Sequence, residues 1–127
     1  MIYDVHISKR ADADLRGIYE YIAFQLLAPE HASRQLDRLE EQISKLDFMA
    51  KRFRRYDREP WYSRGLRVMP VDHYVVFYIP DEGSATVNVL RVMYSGQDVD
   101  RKLERLDQEI AATMLEAEQI RIKNLRI

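Results

Sequence analysis

Three side chains in the C-terminal half have types suited to chemistry on a charged oxygen. His73 offers an imidazole whose pKa can sit near neutral, the property a general base needs. Arg91 interrupts an apolar run made by Val87, Val89, Val92 and Met93. A guanidinium there needs an acidic partner or a route to solvent, so it either binds phosphate or pairs with a carboxylate such as Asp98 or one on a partner protein. Tyr94 follows three residues on, with a hydroxyl that can orient or protonate a phosphate. Each has a plainer reading. His73 flanks a turn, and Tyr94 is placed to pack against the helix that follows.

A second concentration lies between Lys51 and Arg67. Seven basic residues (Lys51, Arg52, Arg54, Arg55, Arg58, Arg64, Arg67) stand there against Asp57 and Glu59, a local charge of +5 on a chain whose net charge is −1. Phe53, Tyr56, Trp61 and Tyr62 are interleaved with them. Cations among stackable rings suit single-stranded or ribosomal RNA. Carboxylates of a partner protein are an equal counter-surface. The plainer reading is a solvated loop whose rings pin it to the core.

Other chemistries find no support. There is no cysteine, which removes disulfides, thiolate metal sites and cysteine nucleophiles. His6, His31 and His73 are far apart and lack metal-ligand spacing. No glycine-rich phosphate loop is present, and no cofactor is expected. No apolar run approaches the roughly 20 residues that span a bilayer, and the first ten residues lack a signal-peptide core. The chain therefore reads as cytoplasmic and free of membrane.

The positioning elements follow from periodicity. Tyr3, Val5 and Ile7 alternate with polar residues, which predicts a short strand. Ser8 is a helix cap, and Ala11, Leu15, Ile18, Ile22 and Leu26 form one apolar stripe over about Lys9 to Leu26. Pro29 opens a second helix with Ala32, Leu36, Leu39, Ile43 and Leu46 on its inner face. Residues 50–64 read as a loop. Leu66 to Met69 is a short strand, with Pro70, Val71 and Asp72 as its turn. The run Tyr74 to Ile79 does not alternate, so both its faces must be covered. Pro80 to Ser84 reads as a hairpin turn before a strand over Thr86 to Tyr94. From Asp98 a near-heptad stripe of Val99, Leu103, Leu106, Ile110, Met114, Ala117 and Ile120 predicts a long helix.

Order and local words together carry a resemblance. The chain opens with Val5-His6-Ile7-Ser8-Lys9-Arg10-Ala11-Asp12-Ala13-Asp14-Leu15 and Ile18-Tyr19-Glu20-Tyr21-Ile22. It continues with Gly65-Leu66-Arg67-Val68 and Asp72-His73-Tyr74-Val75-Val76-Phe77-Tyr78. It closes with Leu90-Arg91-Val92-Met93-Tyr94-Ser95-Gly96-Gln97-Asp98. To about Leu106 this resembles the RelE/ParE superfamily of toxins from type II toxin–antitoxin systems. The resemblance implies an α+β fold: an N-terminal strand, a helical hairpin, then an antiparallel meander in one curved sheet, with an extended C-terminal helix. It sets residues 1–106 as the toxin domain and 107–127 as a helical extension of it. The family usually ends near Leu103, so this helix is extra. It either covers the sheet or pairs with another chain, giving a homodimer or an antitoxin contact.

The resemblance also implies growth arrest, a cognate antitoxin, and one of two targets. RelE-type members cleave messenger RNA on the ribosome, and ParE-type members poison DNA gyrase. Ribosome-dependent, metal-independent cleavage is the first reading of this sequence. Gyrase inhibition, or a degenerate module that only binds the antitoxin, is the alternative. On the first reading Arg67 falls where such enzymes carry a basic residue. The catalytic candidates are then Arg67, Arg91, Tyr94 and His73. Lys51, Arg52, Arg54, Arg55 and Arg64 are the candidates for contacting RNA or antitoxin. Val75 and Gln97 fall near family arginines, so two cationic positions are lost.

Overall fold

The structure is a computed structural model, and it describes residues 2–96 and 99–108. The chain divides into two units, Met1–Ser95 and Gly96–Ile127. In the first, the order is β1 (Asp4–Ile7), α1 (Lys9–Glu20), α2 (Pro29–Ser44), α3 (Leu46–Met49), α4 (Trp61–Arg64), β2 (Arg67–Val71), β3 (Tyr74–Asp81) and β4 (Thr86–Tyr94). In the second, residues 99–108 form a helix, α5. The stripe residues Ile110, Met114, Ala117 and Ile120, and with them the cover-or-pairing role expected of the extension, lie outside the described residues.

The four strands make one sheet in the order β1-β4-β3-β2. The meander β2-β3-β4 is antiparallel, and β1 joins it parallel to β4. A parallel partner needs a long crossover, which the helices and the meander between them supply. Ser8 joins helix to sheet. Its hydroxyl accepts the Ala11 N–H at 3.0 Å as the α1 cap, a contact worth about 1 kcal/mol. It also donates to the Leu90 carbonyl at 3.1 Å.

The hairpin α1–α2 packs on one face of the sheet. Ala11 and Leu15 of α1, and Leu39 and Ile43 of α2, meet Met69, Val71, Val76, Tyr78, Val87, Val89 and Val92. The register Arg67↔Tyr78, Met69↔Val76, Val71↔Tyr74 puts those β2 and β3 side chains on this same face. Val76, Phe77 and Tyr78 are consecutive and each 1% exposed or less, so β3 is covered on both faces, as its unbroken apolar run requires.

Three boundaries differ from the sequence reading. The first helix gives way at Tyr21 to a π-helical turn over Tyr21–Gln25, closed by the Leu26 N–H on the Tyr21 carbonyl. Leu27 then takes a left-handed φ of 53° and Pro29 restarts the helix. Pro70 and Val71 belong to β2 rather than to a turn. An edge strand tolerates proline, and Asp72 with φ 54° lets two residues, Asp72 and His73, make the turn alone. Pro80 and Asp81 likewise stay in β3, paired with Val87 and Thr86. The turn begins at Glu82, where the Asp81 carboxylate accepts the Gly83 N–H at 3.0 Å.

The segment expected as a loop is partly ordered along the sheet. Val68 N–H bonds the Arg54 carbonyl at 3.0 Å, and Tyr56 N–H bonds the Leu66 carbonyl at 2.8 Å, on either side of an Arg55↔Arg67 bridge. Residues 54–56 thus act as a short extra strand on the outer edge of β2. Helix α4 follows and ends at Gly65, whose φ of 84° closes the helix in the left-handed region.

Candidate functional site

Arg67 begins β2 on the face packed by the helical hairpin, beside Tyr78. Its guanidinium donates to the Phe53 carbonyl at 2.7 Å and the Lys51 carbonyl at 3.4 Å, and its Nε has no partner among the described residues. Tyr78 works alongside it, donating to the Ala50 carbonyl at 2.9 Å. The two residues hold the start of the basic segment against the sheet.

Arg91 lies across the ladder from Phe77, next to an irregularity where β4 gains one residue on β3. Nε donates to Asp14 Oδ2 at 2.7 Å and Nη2 to Oδ1 at 2.9 Å. The side chains are 8% and 13% exposed. Asp14 also accepts the Val92 N–H at 2.9 Å. The free edge of β4 is therefore closed in sequence by β1, by the Ser8 N–H on the Val89 carbonyl, by the Ser8 hydroxyl on Leu90, and by Asp14. Among the described residues the partner of Arg91 is Asp14; Asp98 lies outside them.

Tyr94 ends β4 directly across from Tyr74, with the rings edge to face at 5.9 Å. Burial raises the Tyr74 phenol above its ordinary range, with the Tyr94 and Tyr21 hydroxyls adding to the effect. His73 is exposed in the β2–β3 turn, and its carbonyl accepts the Ser95 N–H at 2.9 Å. His73 and Tyr94 therefore share one end of the sheet. Arg67 does not join them. Its β3 partner Tyr78 is four residues from Tyr74, about 13 Å along the strand.

The same end carries a network that sequence reasoning missed. Arg38 of α2 donates twice to Asp72, at 2.8 Å each, and the buried Gln35 donates to Asp72 Oδ2 at 3.0 Å. Hydrogen bonds from Arg38 and then Gln35 hold the Asp72 carboxyl down at about 2. Gln35 lies on the inner helix face at the step after Ala32, and a polar residue in an apolar stripe was its one available signal.

The basic segment presents its cations outward and its rings inward. Arg52, Arg54, Arg55 and Arg64 are exposed, while Lys51 pairs with Glu82 across the turn. Trp61 is 3% exposed, Phe53 packs against the core, and Tyr56 meets Phe77 edge-on at 5.9 Å. Tyr62 alone of the four is exposed, at 45%, and the Arg55 guanidinium lies 5.4 Å over its ring. Arg52 lies over Phe53 at 5.8 Å and Arg64 over Trp61 at 5.0 Å. The rings pin the segment, and they do not line it for stacking.

Among the described residues no group of three or more His, Cys, Asp or Glu is placed to hold a metal. Among them, too, no helix is long and apolar enough to cross a membrane.

Comparison with known proteins is consistent with this architecture. The family model described as "ParE toxin of type II toxin-antitoxin system, parDE" matches residues 5–99. A chain of the chromosomal ParDE system from P. aeruginosa aligns with a TM-score of 0.61 at 21% identity, covering 73% of this chain and 96% of that one. A chain of the RelBE2 toxin–antitoxin complex from Mycobacterium tuberculosis gives 0.57 at 23% identity, covering 74% and 99%. A mutant E. coli RelE toxin in the free state gives 0.56 at 12% identity, covering 83% and 98%. A search of curated protein sequences finds no match.

Proposed function

Because the chain belongs to the ParE toxin family of type II toxin–antitoxin systems, we propose that it arrests growth by acting on DNA gyrase, without cleaving RNA, and is held in check by a cognate antitoxin. The observation that carries this reading is the dispersal of the four candidate catalytic side chains. Metal-free RNA cleavage needs a base, an acid and cations within reach of one phosphate. Here Arg67 is committed to the Lys51 and Phe53 carbonyls, and Arg91 is committed to Asp14. Neither guanidinium is offered to a phosphate beside His73 and Tyr94. Their work on this reading is structural, as a clamp on the basic segment and a seal on the sheet edge.

A toxin that grips a protein target needs no converging acid and base. The antitoxin partner is supported by the family and by the ParDE and RelBE2 complexes it resembles. The test is a supercoiling assay with purified gyrase and the full chain. Loss of supercoiling, relieved by prior addition of the antitoxin, is the expected result. Unchanged supercoiling with growth arrest in cells points to ribosome-dependent cleavage instead. No arrest at all points to a module that only binds its antitoxin.

A further inference from the structure

The edge of the sheet at β1 carries open backbone. In a parallel pair a strand bonds its neighbour through alternate residues. The Asp4 N–H reaches the Ala85 carbonyl at 2.8 Å and the Ser8 N–H reaches the Val89 carbonyl at 3.0 Å, so Asp4, His6 and Ser8 serve β4. Val5 and Ile7 turn their N–H and C=O groups the other way, where among the described residues no partner meets them. Tyr3 shares that direction, but its N–H is already taken by the Asp47 carbonyl at 2.7 Å. The open edge is therefore Val5 and Ile7, with His6 between them.

Its side chains do not guard it. Edge strands are ordinarily blunted by lysine, proline or a bulge, and Asp4-Val5-His6-Ile7 has none of these. Apolar groups surround it instead. Ile7 is 43% exposed, Ile2 just before the strand is 76% exposed, and Phe48, next to the Asp47 that engages Tyr3, is 60% exposed. Helix α1 lies over β4, where Asp14 meets Arg91 and Val92, and so leaves the β1 edge clear.

Two open residues separated by one are complementary to a second copy of the same edge. Laid antiparallel about His6, Val5 of each copy faces Ile7 of the other and exchanges both backbone bonds with it. Every open donor and acceptor is then satisfied. Centring the pair on Val5 would instead set Ile7 against Tyr3, whose N–H is engaged. Charge favours the same arrangement. Asp4 comes opposite Ser8 of the other copy, beside its exposed Lys9 and Arg10, and among the described residues none of these three is in an ion pair. A parallel arrangement would set like ends together.

We propose that β1 is a self-association edge, through which two copies of this chain join antiparallel about a two-fold axis at His6 and run their sheets on as one. The contact is small, so the dimer is reversible and depends on concentration. Val5 packs toward the core, so His6 lies on the opposite face of the sheet. The two His6 residues stand directly across from each other there, with Cα atoms about 4.5 Å apart.

The test is sedimentation equilibrium on the full chain over a range of concentrations. The parent shows a reversible monomer–dimer equilibrium. His6→Lys alone and His6→Glu alone each set like charges opposite each other and self-associate at least tenfold more weakly, with unchanged thermal melts. An equal mixture of the two variants recovers the dimer, because opposite charges then meet. In the parent, exchange of the Val5 and Ile7 amide protons slows as concentration rises. A parent that stays monomeric throughout gives this edge to a different chain and overturns the proposal. So does a dimer that neither variant weakens, or one that the mixture fails to recover. Growth arrest plays no part in these readouts, so they stand or fall apart from the toxin reading.

Discussion

Arg91 on β4 and Asp14 on α1, 77 residues apart in sequence, meet in a bidentate ion pair with Nε–Oδ2 at 2.7 Å and Nη2–Oδ1 at 2.9 Å. The pair is nearly buried, and the same carboxylate satisfies the Val92 N–H. Removing one partner strands the other's charge. Asp14→Ala is therefore expected to lower stability by about 3–5 kcal/mol. The double variant Asp14→Leu/Arg91→Met, which leaves no orphaned charge, is expected to regain most of that loss. Urea unfolding of the two variants beside the parent checks both. A double variant as unstable as Asp14→Ala contradicts the charge-stranding account.

At the Tyr94 end of β4, Asp72 ties the β2–β3 turn to α2. Its carboxyl is lowered from 3.8 to about 2, first by the hydrogen bond from Arg38 and then by that from Gln35. A depressed folded pKa means the contribution is fully present above about pH 4 and is lost as the pH falls toward 2. Asn is tolerated at the positive φ of this turn, so Asp72→Asn removes the charge with little backbone cost. The parent is expected to be the more stable at pH 6, with the two converging as the pH approaches 2. Parallel stability curves over that range contradict the assignment.

Tyr78 carries the complementary case. Burial pushes its phenol from 10.0 up to about 12, while its hydroxyl is donated to the buried Ala50 carbonyl. Tyr78→Phe leaves that carbonyl unsatisfied and is expected to cost about 1–2 kcal/mol. The folded state holds this proton more tightly than the unfolded chain. Parent stability should therefore decline as the pH rises from about 10 to 12, and Tyr78→Phe should lack this part of the decline. Hydrogen exchange should also show faster opening in the segment around residues 50–56.

Much of this architecture was legible in the sequence, and the reasons are local. Ser8 was read as a cap because its hydroxyl serves a neighbouring turn. The run Val76-Phe77-Tyr78 announced a doubly covered strand because its neighbours offer no polar alternation. The site resisted for the opposite reason. Arg91 and Tyr94 are set by a register shift between Phe77 and Tyr78, and a one-residue shift scrambles any assignment of side-chain faces by parity. The partners of Arg91 and Arg67 come from distant segments, Asp14 in one case and the carbonyls of Lys51 and Phe53 in the other. Carbonyls leave no mark in a sequence. The rings of the basic segment were visible as residue types, and only the fold shows that Trp61, Phe53 and Tyr56 face inward.

The central claim is that this toxin stops growth without an RNA-cleaving site. The most direct measurement is a map of the 5′ ends of cellular messenger RNA, taken shortly after the chain alone is induced in a sensitive bacterium, with growth followed in parallel. The account predicts arrest with messages that carry no new ends inside translated codons, and the same arrest from His73→Ala and Tyr94→Phe. New ends within codons at the onset of arrest, abolished by those substitutions, would contradict it.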